Sequence, residues 1–269
     1  MKITFLGTGT SCGVPTLGCS CKVCRSTNPH DSRLRCAALV ETDTTRLLID
    51  CGPDIRQQLM PLPFRRIDGV LLTHMHYDHV GGIDDLRPYC RFGTIPLYGD
   101  CKTLRHVRQS MPYCFPHGLM QRIEKSLPWL KLKLYPGVPS LSLNPIHAHR
   151  PFSVGDIEVL PINVLHGKLP ILGFRIGRNF AYITDMKSMS EDELHYLKGV
   201  RTLVVNALRF EKPHHSHQLV ADAVAFANKV GAEQTWLIHF NHDIGLETEA
   251  QAKLPKNVGL AYDGLEIEV

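Results

Sequence analysis

A short segment rich in histidine and aspartate carries the strongest chemical signal in this sequence. It supplies three imidazoles and one carboxylate within six residues, at His74, His76, Asp78 and His79. The segment follows an apolar run that predicts a buried strand, and it precedes a Gly-Gly pair that predicts a turn. Imidazole nitrogen and carboxylate oxygen are common ligands of zinc, manganese and iron. The pattern therefore predicts a metal site on a loop at the end of a strand, where catalytic side chains are often held.

A second cluster places three thiols near the start of the chain, at Cys19, Cys21 and Cys24. Three thiolates at this spacing can bind one tetrahedral zinc ion, but a fourth ligand is missing nearby. His242, which follows His239 by three residues, is the candidate for that fourth position. The alternative is that these cysteines are buried or redox-labile thiols without a metal.

The His-x-His-x-Asp-His pattern resembles the signature of the metallo-β-lactamase superfamily, whose members are mostly dinuclear metal hydrolases. The resemblance covers nearly the whole chain, because the later ligands of the family match residues that end apolar runs here. It implies two groups of ligands for divalent ions and one bridging carboxylate. The first group is His74, His76 and His166, the second is Asp78, His79 and His239, and the bridging residue is Asp185.

Such a pair of ions supports hydrolysis. Two divalent ions about 3.5–4 Å apart lower the pKa of a shared water and supply hydroxide at neutral pH. They also hold the oxygens of a displacement at phosphorus, or they polarise a carbonyl. The cysteine cluster narrows the resemblance to a subfamily that includes the phosphoribosyl cyclic phosphodiesterases of the C–P lyase pathway. That subfamily implies Mn²⁺ or Zn²⁺ in the dinuclear centre, and a structural Zn²⁺ held by the cysteines and His242.

A histidine beside a predicted amphipathic helix is expected to act on the substrate. The apolar spacing after His217 predicts a long helix that begins there. In the resembling cyclic phosphodiesterases and in ribonuclease Z, a histidine at this place lies over the metals. The resemblance implies that His217 contacts phosphate and acts as a general acid, in a catalytic group with Asp78 and Asp185.

Other polar residues near these motifs are expected to support the site or to lie outside it. Asp50 matches a family aspartate that is expected to brace the metal loop. Arg87 could contact a substrate phosphate or pair with its acidic neighbours, and both readings stay open. The remaining histidines near the motifs are expected on the surface or in the wall of the cleft. They are His117, His147, His149, His214 and His215.

Composition agrees with an enzyme of small anionic substrates. The chain has 269 residues, is 43% hydrophobic and carries a net charge of +4, which suits an anionic ligand but makes stable nucleic-acid binding unlikely. Its nine cysteines show no paired pattern, which favours a reducing cytosol over disulfides. No leader and no apolar run of about 20 residues is evident, so a cytoplasmic protein without membrane contact is expected. Family likeness allows a homodimer.

The order of elements predicts a mixed α/β chain, and the resemblance implies an αββα sandwich of two mixed β-sheets flanked by helices. Because ligands from positions 74 to 239 must meet, residues 1–269 are expected to form a single domain. Residues 111–150 are proline-rich and predict an irregular insertion, with an alternating strand at 130–134. Helices are predicted near 83–91 and 191–197 as well as from His217. Strands are predicted at 2–6, 36–42, 46–50, 70–73, 95–98, 157–164, 173–176, 181–184, 202–205, 235–238 and 265–269, the last as part of a hairpin.

The favoured function is hydrolysis of a small cyclic phosphodiester by metal-bound hydroxide. Candidate substrates are phosphoribosyl 1,2-cyclic phosphate and nucleoside 2′,3′-cyclic phosphates. A tRNA 3′-processing endonuclease similar to ribonuclease Z is one alternative, although no long basic, glycine-rich arm is evident. A lactam or thioester hydrolase is another, and His217 and the cysteine cluster disfavour it. A non-hydrolytic protein resembling the pyrroloquinoline-quinone biosynthesis protein B is discounted because every hydrolase ligand is present.

Overall fold

Fourteen strands form two seven-stranded sheets in the computed structural model, which describes residues 1–115, 126 and 137–269. The strands of the first sheet are β1 Lys2–Gly7, β2 Ala37–Glu41, β3 Arg46–Ile49, β4 Gly69–Leu71, β5 Ile95–Gly99, β6 Leu141–Pro145 and β14 Glu266–Glu268. The strands of the second are β7 Phe152–Val154, β8 Ile157–His166, β9 Leu169–Ile176, β10 Phe180–Ile183, β11 Thr202–Asn206, β12 Gln234–Ile238 and β13 Val258–Leu260.

The two sheets repeat one pattern of strand directions. In the first sheet β1, β2 and β3 pair antiparallel, and β3 to β6 then pair parallel. In the second sheet β8, β9 and β10 pair antiparallel, and β10 to β13 pair parallel. One further antiparallel strand closes the outer edge of each, β14 on β1 and β7 on β8. Because parallel strands point the same way, the loops that follow them leave from one edge of each sheet.

Helices cover the outer faces of both sheets. The α-helices among the described residues are α1 Ile55–Leu59, α2 Tyr77–Val80, α3 Cys101–Ser110, α4 Glu191–Leu194, α5 Val220–Val230 and α6 Glu247–Gln251. The 3₁₀ helices are Pro29–Asp31, Ile83–Phe92, Pro112–Cys114, His195–Leu197 and His242–Ile244. No helix in the described part of the chain is long and apolar enough to cross a membrane.

Three apolar clusters fill the spaces between the layers. One lies between the first sheet and its helices, and a second lies between the other sheet and its helices. The third joins the inner faces of the two sheets and includes Phe5 and Leu47 from the first and Phe174 and Tyr182 from the second. Alternate residues of a strand face opposite sides, so Leu48 packs outward while Leu47 packs inward. This layering confirms the predicted αββα sandwich.

Several predicted boundaries are wrong. The helix predicted near 83–91 is present as Ile83–Phe92, but it is a 3₁₀ helix and contains Pro88, which cannot donate the backbone hydrogen bond of an α-helix. Helix α5 begins at Val220 instead of His217, because Leu219 is extended and its N–H donates to the Asp222 carboxylate at 3.1 Å. The last strand forms no hairpin with its predecessor, since β14 pairs with β1.

The predicted insertion at 111–150 is not irregular along its whole length. Leu141–Pro145 is strand β6, which pairs parallel with β5 over five residues and extends the first sheet. The sequence pattern did not predict this strand because it contains polar residues and ends in a proline. An edge strand tolerates both, since it needs only one buried face. The strand predicted at 130–134 lies outside the described residues. Helix α3 and strands β6, β7 and β13 are elements that the sequence patterns did not predict.

Close backbone packing under the metal loop requires a glycine at position 52. A Cβ added at Gly52 would lie 2.0 Å from the carbonyl oxygen of Asp78, whereas a Cβ at Gly99 would meet only leucine side chains at 3.4 Å. We expect Gly52→Ala to lower the free energy of unfolding by about 3 kcal/mol, because backbone cannot yield to an extra methyl group. Gly99→Ala, the matched control, should change it by less than about 1 kcal/mol. Urea denaturation measures both, and equal effects would contradict the packing argument.

Candidate metal centre

The predicted ligands meet at the edge where the strands end. His74, His76, Asp78 and His79 lie on the loop and short helix that follow β4. The others come from the second sheet, each at or just beyond the end of a strand. They are His166 at the end of β8, Asp185 after β10 and His239 after β12. The structure thus brings together residues from positions 74 to 239, although the two sets belong to different sheets.

These side chains form overlapping groups whose donor atoms lie within 4.8 Å of one another. One group is His74, His76 and His166, and another is Asp78, His79 and His239, which reproduces the two predicted sets. His74, His79 and Asp185 form a third group that connects them. His76 is exposed while its partners are buried, so the cluster is open to solvent on that side.

Asp185 lies between the two groups. Its Oδ2 is 3.3 Å from His79 Nε2, and its Oδ1 is 3.2 Å from His239 Nε2. The hydroxyl of Thr184 donates to Oδ2 at 2.8 Å. Burial alone would raise the pKa of Asp185, but the facing His239 and His79 hold it well below its usual range. The carboxylate is therefore ionised at neutral pH, as a bridging ligand must be.

Buried nitrogen atoms that make no hydrogen bond indicate that the cluster fits a metal. Nε2 of His79 and Nε2 of His239 face the Asp185 carboxylate at 3.3 and 3.2 Å, but neither contact has hydrogen-bond geometry. Among the described residues, Nδ1 of His239 is also buried without a hydrogen bond. Burying such polar atoms is costly unless something binds them. The nitrogen atoms His74 Nε2 and His76 Nδ1 lie only 2.9 Å apart. A lone pair on each of these atoms can bind a divalent cation, so the donor set suits zinc or manganese.

Asp50 braces the metal loop through fully buried contacts. Its carboxylate accepts hydrogen bonds from His79 Nδ1 at 2.7 Å, Thr73 N at 2.9 Å and Thr73 Oγ1 at 2.9 Å. The Thr73 hydroxyl also contacts His74 Nδ1 at 3.0 Å. With Nδ1 of His79 donating to Asp50, Nε2 of His79 is left free to bind a cation. This is the bracing contact expected for Asp50.

Backbone strain coincides with the site. Asp50, Asp185 and His239 adopt positive φ values of 60°, 56° and 62°, which is the left-handed region that residues with a Cβ rarely adopt. Each follows the end of a strand, β3, β10 and β12 respectively. Such strain persists only where the surrounding structure enforces it, and it is common at functional sites. In this protein all three side chains lie against His79: Asp50 at its Nδ1, Asp185 at its Nε2, and the ring of His239 stacked on it.

His217 lies against the same cluster. Its ring centroid is 4.7 Å from that of His166 and 4.9 Å from that of His239, and its Nδ1 is 3.8 Å from Asp185 Oδ1. Burial, and then the neighbouring His239, lower the pKa of His217 to about 3. The ring is therefore neutral at pH 7 before any anion binds. His214, expected in solvent, is half-buried and stacks on His217 with centroids 5.0 Å apart, whereas His215 is exposed as expected.

The three cysteines surround His242. Its Nδ1 is 3.1 Å from the sulfur of Cys19, 3.5 Å from that of Cys21 and 3.4 Å from that of Cys24. The backbone N–H of Cys24 points at the Cys21 sulfur at 3.5 Å and lowers the pKa of Cys21 to about 6. Three sulfurs and one imidazole at these distances are the donor set of a tetrahedral zinc site. None of the nine cysteines is in a disulfide.

Phe240 and Asn241 connect the two clusters. The Phe240 N–H donates to Thr8 O at 3.1 Å, and its carbonyl accepts from Thr10 N at 2.8 Å. The guanidinium of Arg33, itself buried, lies 4.6 Å from the centre of the Phe240 ring. His239 and His242 flank this segment, so one short stretch of chain with a fixed backbone carries a residue of each cluster.

Some sequence candidates lie away from the centre. His149 bonds Glu193 at 2.9 Å and stacks on Tyr196, and His147 belongs to none of the potential metal groups among the described residues. Arg87 pairs with Asp84, in agreement with the salt-bridge reading. His117 lies outside the described residues.

Two residues that hold the site were missed. Asn206 is buried, accepts from Met186 N at 2.7 Å and donates to Met186 O at 3.0 Å, which fixes the loop after Asp185. The sequence did contain a signal for Asn206, because it is a polar residue at the end of the apolar strand β11. Lys187 donates from Nζ to the carbonyl of His217 at 3.1 Å. Nothing in the sequence pattern marks that contact.

Known proteins share this arrangement to different extents. The chain is 41% identical over 267 residues to an octanoyltransferase of Porphyromonas gingivalis, covering 99% of this chain but only 51% of that relative. It is 25% identical to ribonuclease Z of Trichodesmium erythraeum, over 100% of this chain and 95% of the relative. A crystal structure described as a new diphosphatase from the PhnP family superposes with a TM-score of 0.86 at 34% identity, covering 100% of this chain and 97% of the other.

The octanoyltransferase is about twice as long as the matched region, so its named activity cannot be transferred to this chain. The similarities to the diphosphatase and to the ribonuclease Z both extend over the full length of this chain. The family description Beta-lactamase superfamily domain matches residues 45–240, which include every predicted ligand of the dinuclear centre. The chain therefore belongs to the β-lactamase superfamily.

Proposed function

We propose that the protein is a dinuclear-metal-dependent phosphodiesterase of a small cyclic phosphodiester. Phosphoribosyl 1,2-cyclic phosphate and nucleoside 2′,3′-cyclic phosphates are the candidate substrates. The observation that carries the proposal is the pair of donor groups around Asp185, with His217 packed against them. Similarity to a PhnP-family diphosphatase supports chemistry at phosphorus.

Seven side chains would hold the catalytic ions, which we propose to be Mn²⁺ or Zn²⁺. They are His74, His76, Asp78, His79, His166, Asp185 and His239. When bound, two divalent ions activate water and neutralise charge on the phosphoryl oxygens. The exposed side of the cluster at His76 leaves room for substrate. Cys19, Cys21, Cys24 and His242 would hold one structural Zn²⁺.

His217 would act on the leaving oxygen. The ring is neutral in the unliganded site, because burial and His239 lower its pKa to about 3. A bound phosphodiester brings negative charge against the ring, which raises the pKa and favours the imidazolium that a general acid requires. His217 would then protonate the leaving alkoxide while Asp78 and Asp185 remain ionised. Asp78 stays ionised because, although burial opposes it, His79 lowers its pKa well below the usual range.

A ribonuclease Z-like activity is the main alternative, supported by the full-length similarity to a ribonuclease Z. Against it, the net charge of +4 is small for a protein that holds tRNA. Carbonyl hydrolysis of a lactam or thioester is a second alternative that such a metal pair allows. The position of His217 disfavours this activity. A lactam or thioester has no phosphate for the His217 imidazole to contact.

Three broader expectations stay proposals. We propose that the chain works as a single domain, because the donor groups require both sheets. Nine free cysteines suit a reducing compartment such as the cytoplasm. A homodimer remains a prediction from family likeness.

A substrate panel tests the proposed reaction. Protein loaded with Mn²⁺ or Zn²⁺ is assayed with bis(p-nitrophenyl) phosphate, 2′,3′-cyclic AMP, a phosphoribosyl cyclic phosphate, nitrocefin and precursor tRNA. We expect turnover of the cyclic phosphodiesters, with a higher kcat/KM than for any other compound. Turnover of nitrocefin alone, or of precursor tRNA alone, would refute the proposal and favour the corresponding alternative.

Removing the His217 imidazole should slow catalysis without removing metal. We expect His217→Ala to lower kcat for 2′,3′-cyclic AMP by about 10²–10⁴, the usual contribution of general acid–base catalysis. Metal content, measured by mass spectrometry, should stay at the wild-type value. His215→Ala is the matched control, because His215 is exposed on the same segment. An unchanged kcat in His217→Ala would remove the proposed role.

The cysteine centre should be separable from the catalytic one. We expect Cys21→Ser to lose one metal ion per chain and to lower the melting temperature, because structural zinc is coupled to folding. Cys12→Ser is the control, since Cys12 is exposed and belongs to no potential metal group of the described residues. Equal metal content in both variants would mean that the cysteine cluster binds no ion.

A further inference from the structure

The segment that carries His217 has no regular secondary structure. It lies between β11, which ends at Asn206, and α5, which begins at Val220. Leu208 N donates to Gln218 O at 2.9 Å, and His166 Nδ1 lies 3.0 Å from Ser216 O. Because no helix or sheet fixes it, the position of the His217 ring depends on individual contacts of this kind.

Lys187 makes the contact at His217 itself. Its Nζ donates to the His217 carbonyl at 3.1 Å. The backbone of Lys187 is fixed in turn, because its N–H donates to Leu165 O at 2.7 Å. Lys187 follows the candidate bridging residue Asp185 by two positions. It therefore connects the loop of the bridging carboxylate to the segment of the candidate general acid.

The environment of Lys187 indicates that this contact matters. The side chain is half-buried, and no carboxylate among the described residues lies within 4.0 Å of its Nζ. A lysine ammonium usually remains in water or pairs with an acid, since burying its charge is unfavourable. Here its bond is to a main-chain carbonyl, and hydrogen bonds from a charged donor are stronger than neutral ones.

The ring of His217 is held from its outer side as well. His214 stacks on it at 29° with centroids 5.0 Å apart, and His214 Nδ1 accepts from Ser216 N at 3.3 Å. With the ring packed between His214 and the ligand histidines, its remaining freedom is movement with the backbone. The carbonyl that Lys187 holds limits that movement.

We propose that Lys187 is a positioning residue for His217, holding the imidazole against Asp185 through the main-chain carbonyl. This inference rests on the proposed function, because it needs His217 to act on the leaving group. Lys187 touches neither the reacting atoms nor the candidate ligands in this scheme. Removing its ammonium should weaken proton transfer to the leaving oxygen, with little effect on substrate binding.

Leaving-group dependence tests this role. We expect Lys187→Met to lower kcat for 2′,3′-cyclic AMP by about tenfold or more, and to lower it much less for bis(p-nitrophenyl) phosphate, whose leaving phenolate needs little protonation. KM should change by less than about twofold. Lys187→Arg should recover most of the lost kcat, because guanidinium can donate to the same carbonyl. Lys198→Met, which removes an exposed lysine elsewhere on the same half, is the control and should match wild type.

A double-mutant comparison separates positioning from direct substrate contact. In a His217→Ala background, Lys187→Met should cause no further loss, since residues that act as one unit are not additive. An equal loss in both backgrounds, or a raised KM with unchanged kcat, would show that Lys187 acts on the substrate and would overturn the proposal. Unchanged kcat in Lys187→Met alone would also overturn it.

Hydrogen–deuterium exchange gives a readout that needs no turnover. Peptides spanning 214–219 should exchange about tenfold faster in Lys187→Met than in wild type, and at the wild-type rate in Lys198→Met. Unchanged exchange in Lys187→Met would contradict the positioning role whatever the reaction is. Faster exchange in a protein that hydrolyses no phosphodiester would instead place the failure in the proposed function.

Discussion

The buried carboxylate of Asp50 is the interaction on which the candidate centre depends. It is fully buried, and it receives hydrogen bonds from two residues of the loop that carries four candidate ligands. Burial raises the pKa of Asp50 above its usual value, and the facing His79 and the Thr73 hydrogen bonds oppose that rise. Residues 73 to 79 are therefore held from the interior by hydrogen bonds to a carboxylate that solvent does not reach.

The same region holds backbone conformations that are unfavourable by themselves. Three residues with a Cβ adopt left-handed φ values, and the donor atoms within each group of histidines and aspartates lie within 4.8 Å of one another. Strain of this kind typically costs about 1–3 kcal/mol per residue. The apolar packing on both faces of the two sheets must offset this unfavourable conformational energy. The three apolar clusters that surround the polar centre supply that packing.

Much of the candidate centre could be predicted from the sequence, because each ligand follows an apolar run that marks a buried strand. Asp185 and His239 were implied by the family resemblance, whose later ligands match residues that end apolar runs here, and an Asp185 oxygen lies 3.2 Å from a His239 nitrogen. Short or polar strands such as β7 and β13 were missed, since three residues carry too little pattern. Helix α5 begins later than predicted because the residues before it contribute to the site instead of to the helix.

Contacts between a side chain and a main-chain atom far away in the sequence could not be predicted from sequence patterns. The ammonium of Lys187 and the carbonyl of His217 are separated by 30 residues, and a carbonyl has no residue type that a pattern could detect. The same holds for Asn206, whose side-chain amide bonds the main chain of Met186. Such contacts decide how closely the imidazole and carboxylate groups are held, although the groups themselves can be read from residue types.

The mirrored strand order of the two sheets has a consequence for the evolution of activity. The histidine loop belongs to one half and the bridging carboxylate to the other, so the donors face each other across a seam. A main-chain bond from Leu172 to the Thr73 carbonyl, 3.0 Å long, and the apolar layer around Phe174 set the width of that seam. Mutations deep between the sheets can therefore change the spacing of the two donor groups while every donor residue stays unchanged.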